Sequence, residues 1–171
     1  MNIDRLKNKL ISKLITRFPA LAKRFIASYA PRQSLDVPWI PVAKALDRST
    51  IAIVTTAGVH HRDQEPFDMN DREGDPSYRA IDPERPFSDL MITHDYYDHA
   101  DADKDINIVF PVARLREFEK EGLIGRVAGR HYSFMGHIIG RHIPTLVNKN
   151  APEIARALKN DHVDIVLLTP G

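Results

Sequence analysis

Two aliphatic runs, 51-IAIVTTAGV-59 and 163-VDIVLLTPG-171, constrain this chain more than any other feature. Each is short, rich in β-branched residues and closed by a glycine-bearing turn, the pattern of a strand covered on both faces. A helix lies between them, 112-VARLREFEKEG-122, closed by Gly122. A second is expected with Asn150 as its N-cap and Pro152 and Glu153 in its opening turn, running to Lys159. Strands alternating with helices predict an α/β fold: a Rossmann-like or flavodoxin-like parallel sheet with flanking helices. Ligands of such sheets bind beyond the carboxyl ends of the strands. If 51–56 and 163–168 run parallel, Gly58-Val59-His60 and Thr169-Pro170-Gly171 emerge on one edge, so the last residues of the chain stand at the expected site.

A length of 171 residues suits one domain with a real core. No stretch approaches the roughly eighteen apolar residues of a membrane span. The absence of Cys removes a disulfide framework, a thiolate zinc site and a cysteine nucleophile from these residues, and is compatible with a cytoplasmic protein. Charge is uneven. Residues 1–32 hold eight Lys and Arg against Asp4 alone, +7, which leaves −6 on the rest of a chain of net charge +1.

The basic segment carries Ile3, Leu6, Leu10, Leu14, Phe18, Leu21, Phe25 and Tyr29 at steps of three and four, an amphipathic stripe that Pro19 divides into two helices. The expected division is a helical arm over 1–30 and an α/β domain over 31–171. The arm is expected to pack its apolar face on the domain; contact with a membrane surface or an acidic partner is the other reading. Residues 60–88 show no periodicity and hold four prolines, but Phe67, Tyr78 and Phe87 argue for a packed loop. A strand is expected at 89–94.

Three constellations carry candidate chemistry. The first is 55-TTAGVHHRD-63, with hydroxyls, a glycine turn and histidines that titrate near neutrality. The second, 94-HDYYDHADADKD-105, imitates the start of an EF-hand, but Ile106 replaces the required Gly and Val112 the bidentate Glu, so that reading fails. The third, 130-RHYSFMGHIIGRH-142, offers Arg130 or Arg141 to a carboxylate; nucleic-acid binding is discounted in an acidic body. No P-loop, dinucleotide fingerprint or serine-hydrolase elbow is present. The residues alone lead to an α/β domain with a polar site near His60.

Taken in order, 54-VTTAGVHHRDQEPFDM-69, 74-GDPSYRAI-81, 93-THDYYD-98, 104-KDINIVFPVARLREFEKEGLIG-125, 131-HYSFMGH-137 and 163-VDIVLLTPG-171 resemble the selenoprotein B subunits of the glycine/sarcosine/betaine and D-proline reductases. The D-proline branch is the nearer. The glycine-rich run after Phe-Met-Gly is here His137-Ile138-Ile139-Gly140, a departure that touches substrate and partner. The resemblance implies a catalytic selenocysteine, or cysteine, directly after Thr-Pro-Gly, and hence a sequence that stops at a UGA codon with its sheet incomplete at the C-terminus. It implies a selenocysteine-dependent, dithiol-coupled oxidoreductase that cleaves a C–N bond in a small amino-acid-like substrate. The implied partners are a pyruvoyl-containing subunit and a thiol or selenol electron donor within an oligomer; no metal or other cofactor is expected on this chain. Expected acid/base residues are His60, His94 and His131. Expected substrate-binding residues are Thr55, Thr56, Gly58, His60, His131, His137, Thr169 and Gly171. Two other readings stay open: a non-enzymatic or regulatory module that uses its basic arm, and a metal-dependent hydrolase built on His60, His94 and His131.

Overall fold

The computed structural model describes residues 3–18, 20, 23 and 40–171. β1 (Thr50–Thr55) is its central strand. Along one edge β1 pairs in parallel with β7 (Ile165–Thr169), from Ile51↔Ile165 to Thr55↔Thr169. Along the other it meets β5 (Arg126–Val127) and then β6 (His131–Ser133), both parallel. β3 (Arg79–Ile81) lies antiparallel on the far side of β6. The expected parallel sheet is therefore present, with one antiparallel strand at its edge. A separate antiparallel pair joins β2 (Val59–His61) to β4 (Leu90–Ile92).

β1 is covered on both faces, which is why it reads as a continuous apolar run. Ile51 and Ile53 pack with Val109, Phe110 and the buried Val112 and Leu115 of α2 (Val112–Lys120). Ala52 and Val54 pack on the opposite face with Ile154 and Leu158 of α3 (Ala151–Asn160). The i, i+3 and i, i+4 spacings place each helical pair on one stripe. Complete burial of a side chain such as Ile53 contributes about 1.5–3 kcal/mol, so these few contacts anchor both layers.

Between β5 and β6 the ladder is interrupted, and a side chain fills the gap. The N–H of Ile53 donates to Nδ1 of His131 at 2.9 Å, in the core and edge-on to Phe110. His131 is thus a backbone acceptor inside the sheet.

Several expected details differ. Asn150 does not cap α3: a π-helical turn, Leu146–Asn150, precedes that helix, so Asn150 is itself helical, and its amide donates to Pro76 O at 2.6 Å instead. The strand expected at 89–94 shortens to β4 because Asp89 belongs to a 3₁₀ turn, Phe87–Asp89. β7 reads as a fully buried strand but is not one. Among the described residues its outer edge is unpaired, and Leu168 is 73% exposed.

The long loop is packed, as its aromatics imply. The Arg79 guanidinium lies 4.4 Å over the Phe67 ring and donates to the carbonyls of Glu65, Pro66 and Tyr78. Phe67 and Met69 are buried against Met135.

The arm reverses its expected orientation. α1 (Ile3–Arg17) turns its polar side to the domain: Ser12 is buried, while Ile3, Leu6, Leu10 and Leu14 face outward. The helix expected after Pro19, with Leu21, Phe25 and Tyr29, lies outside the described residues.

Burial holds His131 down to about 4, against an ordinary value of 6.5. An unfolded chain takes up this proton below 6.5 whereas the folded one refuses it until about 4, so stability falls as pH drops through that window. His131→Leu is expected to cost about 1–3 kcal/mol in urea unfolding at pH 7, because Ile53 N–H is left orphaned, and to make the acid slope of stability shallower.

Candidate active site

The carboxyl ends of β1 and β7 are tied to one atom. The hydroxyls of Thr55 and Thr169, opposite each other in register, both donate to Val109 O, at 3.0 and 2.7 Å. The Thr55 hydroxyl also accepts from Ala57 N–H at 3.2 Å, turning the chain directly after the strand. Past the strand ends the pairing continues, with Thr56 N–H donating to Thr169 O at 2.9 Å and Gly171 N–H to the Thr56 hydroxyl at 3.2 Å. A β-carbon on Gly171 would lie 2.6 Å from Ala57 Cα, so only glycine lets these two backbones approach so closely.

Two further loops join this edge through main-chain bonds. Gly58 N–H donates to Phe134 O at 2.8 Å and Thr93 N–H to Gly58 O at 2.9 Å, bringing in the segments after β6 and β4. Gly136 has φ +83°, and a β-carbon there would lie 2.6 Å from Thr56 O and 3.4 Å from Nε2 of His94. His94 therefore stands against the backbone of the same turn that receives Gly171.

His94 accepts from Tyr96 N–H on Nδ1 at 3.0 Å, which places its proton on Nε2. Burial pushes its pKa down to about 4, with smaller contributions from the charges of His99 and His137. At neutral pH it is an uncharged ring with a fixed donor. Tyr97 packs across it, ring centroids 4.7 Å apart, and donates its hydroxyl to Ala57 O at 3.1 Å. His137 stacks on Tyr96 at 4.0 Å and bonds to Arg72 O.

Thr55, Thr56, Gly58, Thr169 and Gly171 thus converge, with His94 beside them and His137 on the rim. His60 and His131 do not join them. His60 is fully buried on β2: its Nδ1 donates to His61 O and its Nε2 accepts from the Thr93 hydroxyl, both at 2.8 Å, and Phe67 covers its edge. Arg130 lies 3.8 Å from Asp161, and Arg141 is ion-paired with Asp71 and Glu73, so neither guanidinium faces this edge as a carboxylate receptor. Among the described residues no three His, Asp or Glu side chains converge as metal ligands.

Asp95 was not separable in the sequence from the solvated acids that follow it. It is 1% exposed, and its charge is met by α1: Arg5 Nε lies 2.6 Å away and Lys9 Nζ 3.4 Å. This bond raises the pKa of Arg5 further. The neighbour of His94 in the chain is thus held by residues 86 and more positions upstream, a pairing that periodicity does not report.

A family model for glycine/sarcosine/betaine reductase selenoprotein B matches residues 5–171. The chain belongs to that family. D-proline reductase subunit gamma of Acetoanaerobium sticklandii is 41% identical over 133 residues, covering 78% of this chain and 53% of that protein. Betaine reductase complex component B subunit beta of Peptoclostridium acidaminophilum is 35% identical over 133 residues, 74% of this chain and 29% of the relative. Glycine reductase complex component B subunit gamma of Carboxydothermus hydrogenoformans is 33% identical over 142 residues, 81% and 32% respectively. The chain spans about half the length of the first relative and about a third of the other two. No solved structure matches the chain. The family match includes most of α1, upstream of the segments from residue 54 onward that carry the resemblance.

Removing one partner of a buried charge costs more than the pair contributes, because the other charge stays desolvated. Arg5 is itself partly exposed and Lys9 remains, so Arg5→Ala is expected to lower stability by about 1–2 kcal/mol and to open α1 to limited proteolysis. Adding Asp95→Asn, which removes the orphaned charge, is expected to recover part of that loss in the same unfolding measurement.

Proposed function

We propose that this domain is the nucleophile-presenting part of an amino-acid reductase subunit, with the reactive selenocysteine, or cysteine, on the turn that Gly171 leads into. The observation that carries the reading is the seating of Thr169 and Gly171 against Thr56 and Ala57, beside His94, at the carboxyl edge of two parallel strands. Membership in a family whose named members are reductase complex subunits supports it.

The edge suits such a group. Thr56 is exposed while Thr55 beside it is buried, so the turn is reachable yet rigidly founded. A selenol supplies a nucleophile that is ionised at neutral pH, where a thiol is mostly protonated. In this reading Thr55 and Thr169 fix the two strand ends through Val109 O, the Thr56 hydroxyl orients the peptide that precedes the nucleophile, and Gly136 keeps the approach clear. His94 contributes a neutral wall and a fixed dipole; with a pKa of about 4 it does not act as a proton shuttle near pH 7. His60 and His131 serve the fold.

The reaction class is reductive cleavage of a C–N bond α to a carboxylate in a substrate of the glycine, sarcosine, betaine or D-proline type. A bond from selenium or sulfur to the α-carbon forms as the amine leaves. A resolving thiol or selenol then takes the selenium, a proton replaces it on carbon, and two electrons from a dithiol restore the resting state. A pyruvoyl-bearing subunit and a dithiol protein are the partners this scheme needs, and the compartment would be the cytoplasm.

The codon that follows Gly171 decides the reading at least cost. UGA with an in-frame extension bearing a further Cys or Sec supports it; UAA or UAG overturns it. In the full-length chain, Thr56→Val is expected to lower turnover about five- to tenfold with little change in thermal stability, since it removes one hydrogen bond from an exposed residue.

A further inference from the structure

Among the described residues the outward stripe of α1 serves neither the core nor the site. Ile3, Leu10 and Leu14 are 82%, 61% and 53% exposed, and Leu6, Ile11 and Phe18 are exposed with them. At 100° per residue these side chains fall within an arc of about 140°. The opposite side holds Arg5, Lys9 and Ser12, which face the domain through Asp95 and through burial. Lys7, Lys13 and Arg17 emerge within or beside the apolar arc and are exposed. Asp4, the one acid of the helix, is turned aside into an ion pair with Arg72 at 2.8 Å. The helix is therefore held flat on the protein by its polar side and shows the exterior an apolar strip accompanied by positive charge.

Charge decides among occupants. A second copy docked stripe to stripe would bring Lys7 and Arg17 of both helices together with no carboxylate on either stripe to answer them. A groove on another protein would have to supply an acidic rim, yet the arc presents no uncharged polar side chain by which a specific partner could be read. An anionic lipid surface asks only for apolar area with cations at its margin, whose long stems reach up to the headgroups. We propose that α1 is a peripheral anchor that lays its outward stripe into an anionic phospholipid surface. It lies in the interface and does not cross it: no described helix is long and apolar enough to span a membrane. The proposal rests on α1 alone and stands or falls independently of the reductase reading.

The test is co-sedimentation of the full-length protein with vesicles of phosphatidylcholine alone and of phosphatidylcholine mixed equally with phosphatidylglycerol. Binding is expected to the mixed vesicles only, and to weaken as salt is raised. Lys7→Gln/Arg17→Gln is expected to weaken it roughly 25-fold, taking each basic residue as worth about fivefold. Leu10→Gln/Leu14→Gln is expected to abolish it; both variants alter exposed positions and should leave the unfolding transition where it was. No binding to either vesicle, equal binding to both, or binding that survives the Leu10→Gln/Leu14→Gln change overturns the proposal. So does a stripe-dependent dimer, or a stripe-dependent complex with another protein chain that excludes the vesicles.

Discussion

The carboxyl edge of this domain depends on one carbonyl. Val109 O receives the hydroxyls of Thr55 and Thr169, and so binds β1 and β7 to the segment that enters α2. Parallel strands are fixed along their length by the ladder, but the ladder stops at their ends, where a loop begins to wander. Here side-chain hydroxyls continue the restraint for one more residue, and the Thr56 and Gly171 bonds continue it for two. The segments carrying Gly58, Phe134 and Thr93 are then stitched to the same turn by main-chain bonds, and each such bond contributes only about 1 kcal/mol. Their sum matters less than their convergence, because each of these loops is bonded to the same turn.

The strands at the heart of this arrangement were legible in the sequence because their physics is local. Ile51 to Thr55 and Ile165 to Thr169 are short aliphatic runs with turns behind them, a pattern that marks a strand whether, as in β1, both faces are covered or, as in β7, they are not. α2 was legible too: Val112 and Leu115 mark a stripe, and Gly122 takes the left-handed conformation after the helix, φ +72°. What periodicity does not contain is what lies opposite. Asn150 has the composition of a cap, yet a helical turn already precedes it. Leu168 has the composition of a core residue, yet its strand has a neighbour on one side only among the described residues.

The histidines show the same boundary from the chemical side. Their residue type advertises proton transfer, and sequence alone cannot say which of them meets water. His60 spends both ring nitrogens on the Thr93 hydroxyl and His61 O, and His131 spends Nδ1 on the Ile53 N–H, so distant or neighbouring main chain and hydroxyls take up these rings. A histidine in this position serves as a shaped hydrogen-bonding plug, and desolvation keeps it neutral. His94 shares the burial but stands next to the open turn, and it owes that place to Gly136, since a side chain there would collide with Thr56 O before reaching the ring. Location relative to one backbone turn, and not titration, separates the three.

Asp95 explains why the amphipathic arm is inverted. A helix normally buries its apolar stripe because each aliphatic side chain removed from water contributes favourably. Against that stands a carboxylate at 1% exposure beside His94, which without a cation would carry a desolvation penalty of several kcal/mol. Arg5 and Lys9 sit one turn apart on the polar side of α1 and reach the same carboxylate from above, so only the polar side can dock if Asp95 is to be answered. The charge constraint fixes which way the helix faces, and the apolar stripe is outward as a consequence. A sequence-level rule that weighs only hydrophobic area chooses the other face, because the residue that overrules it lies in a distant loop.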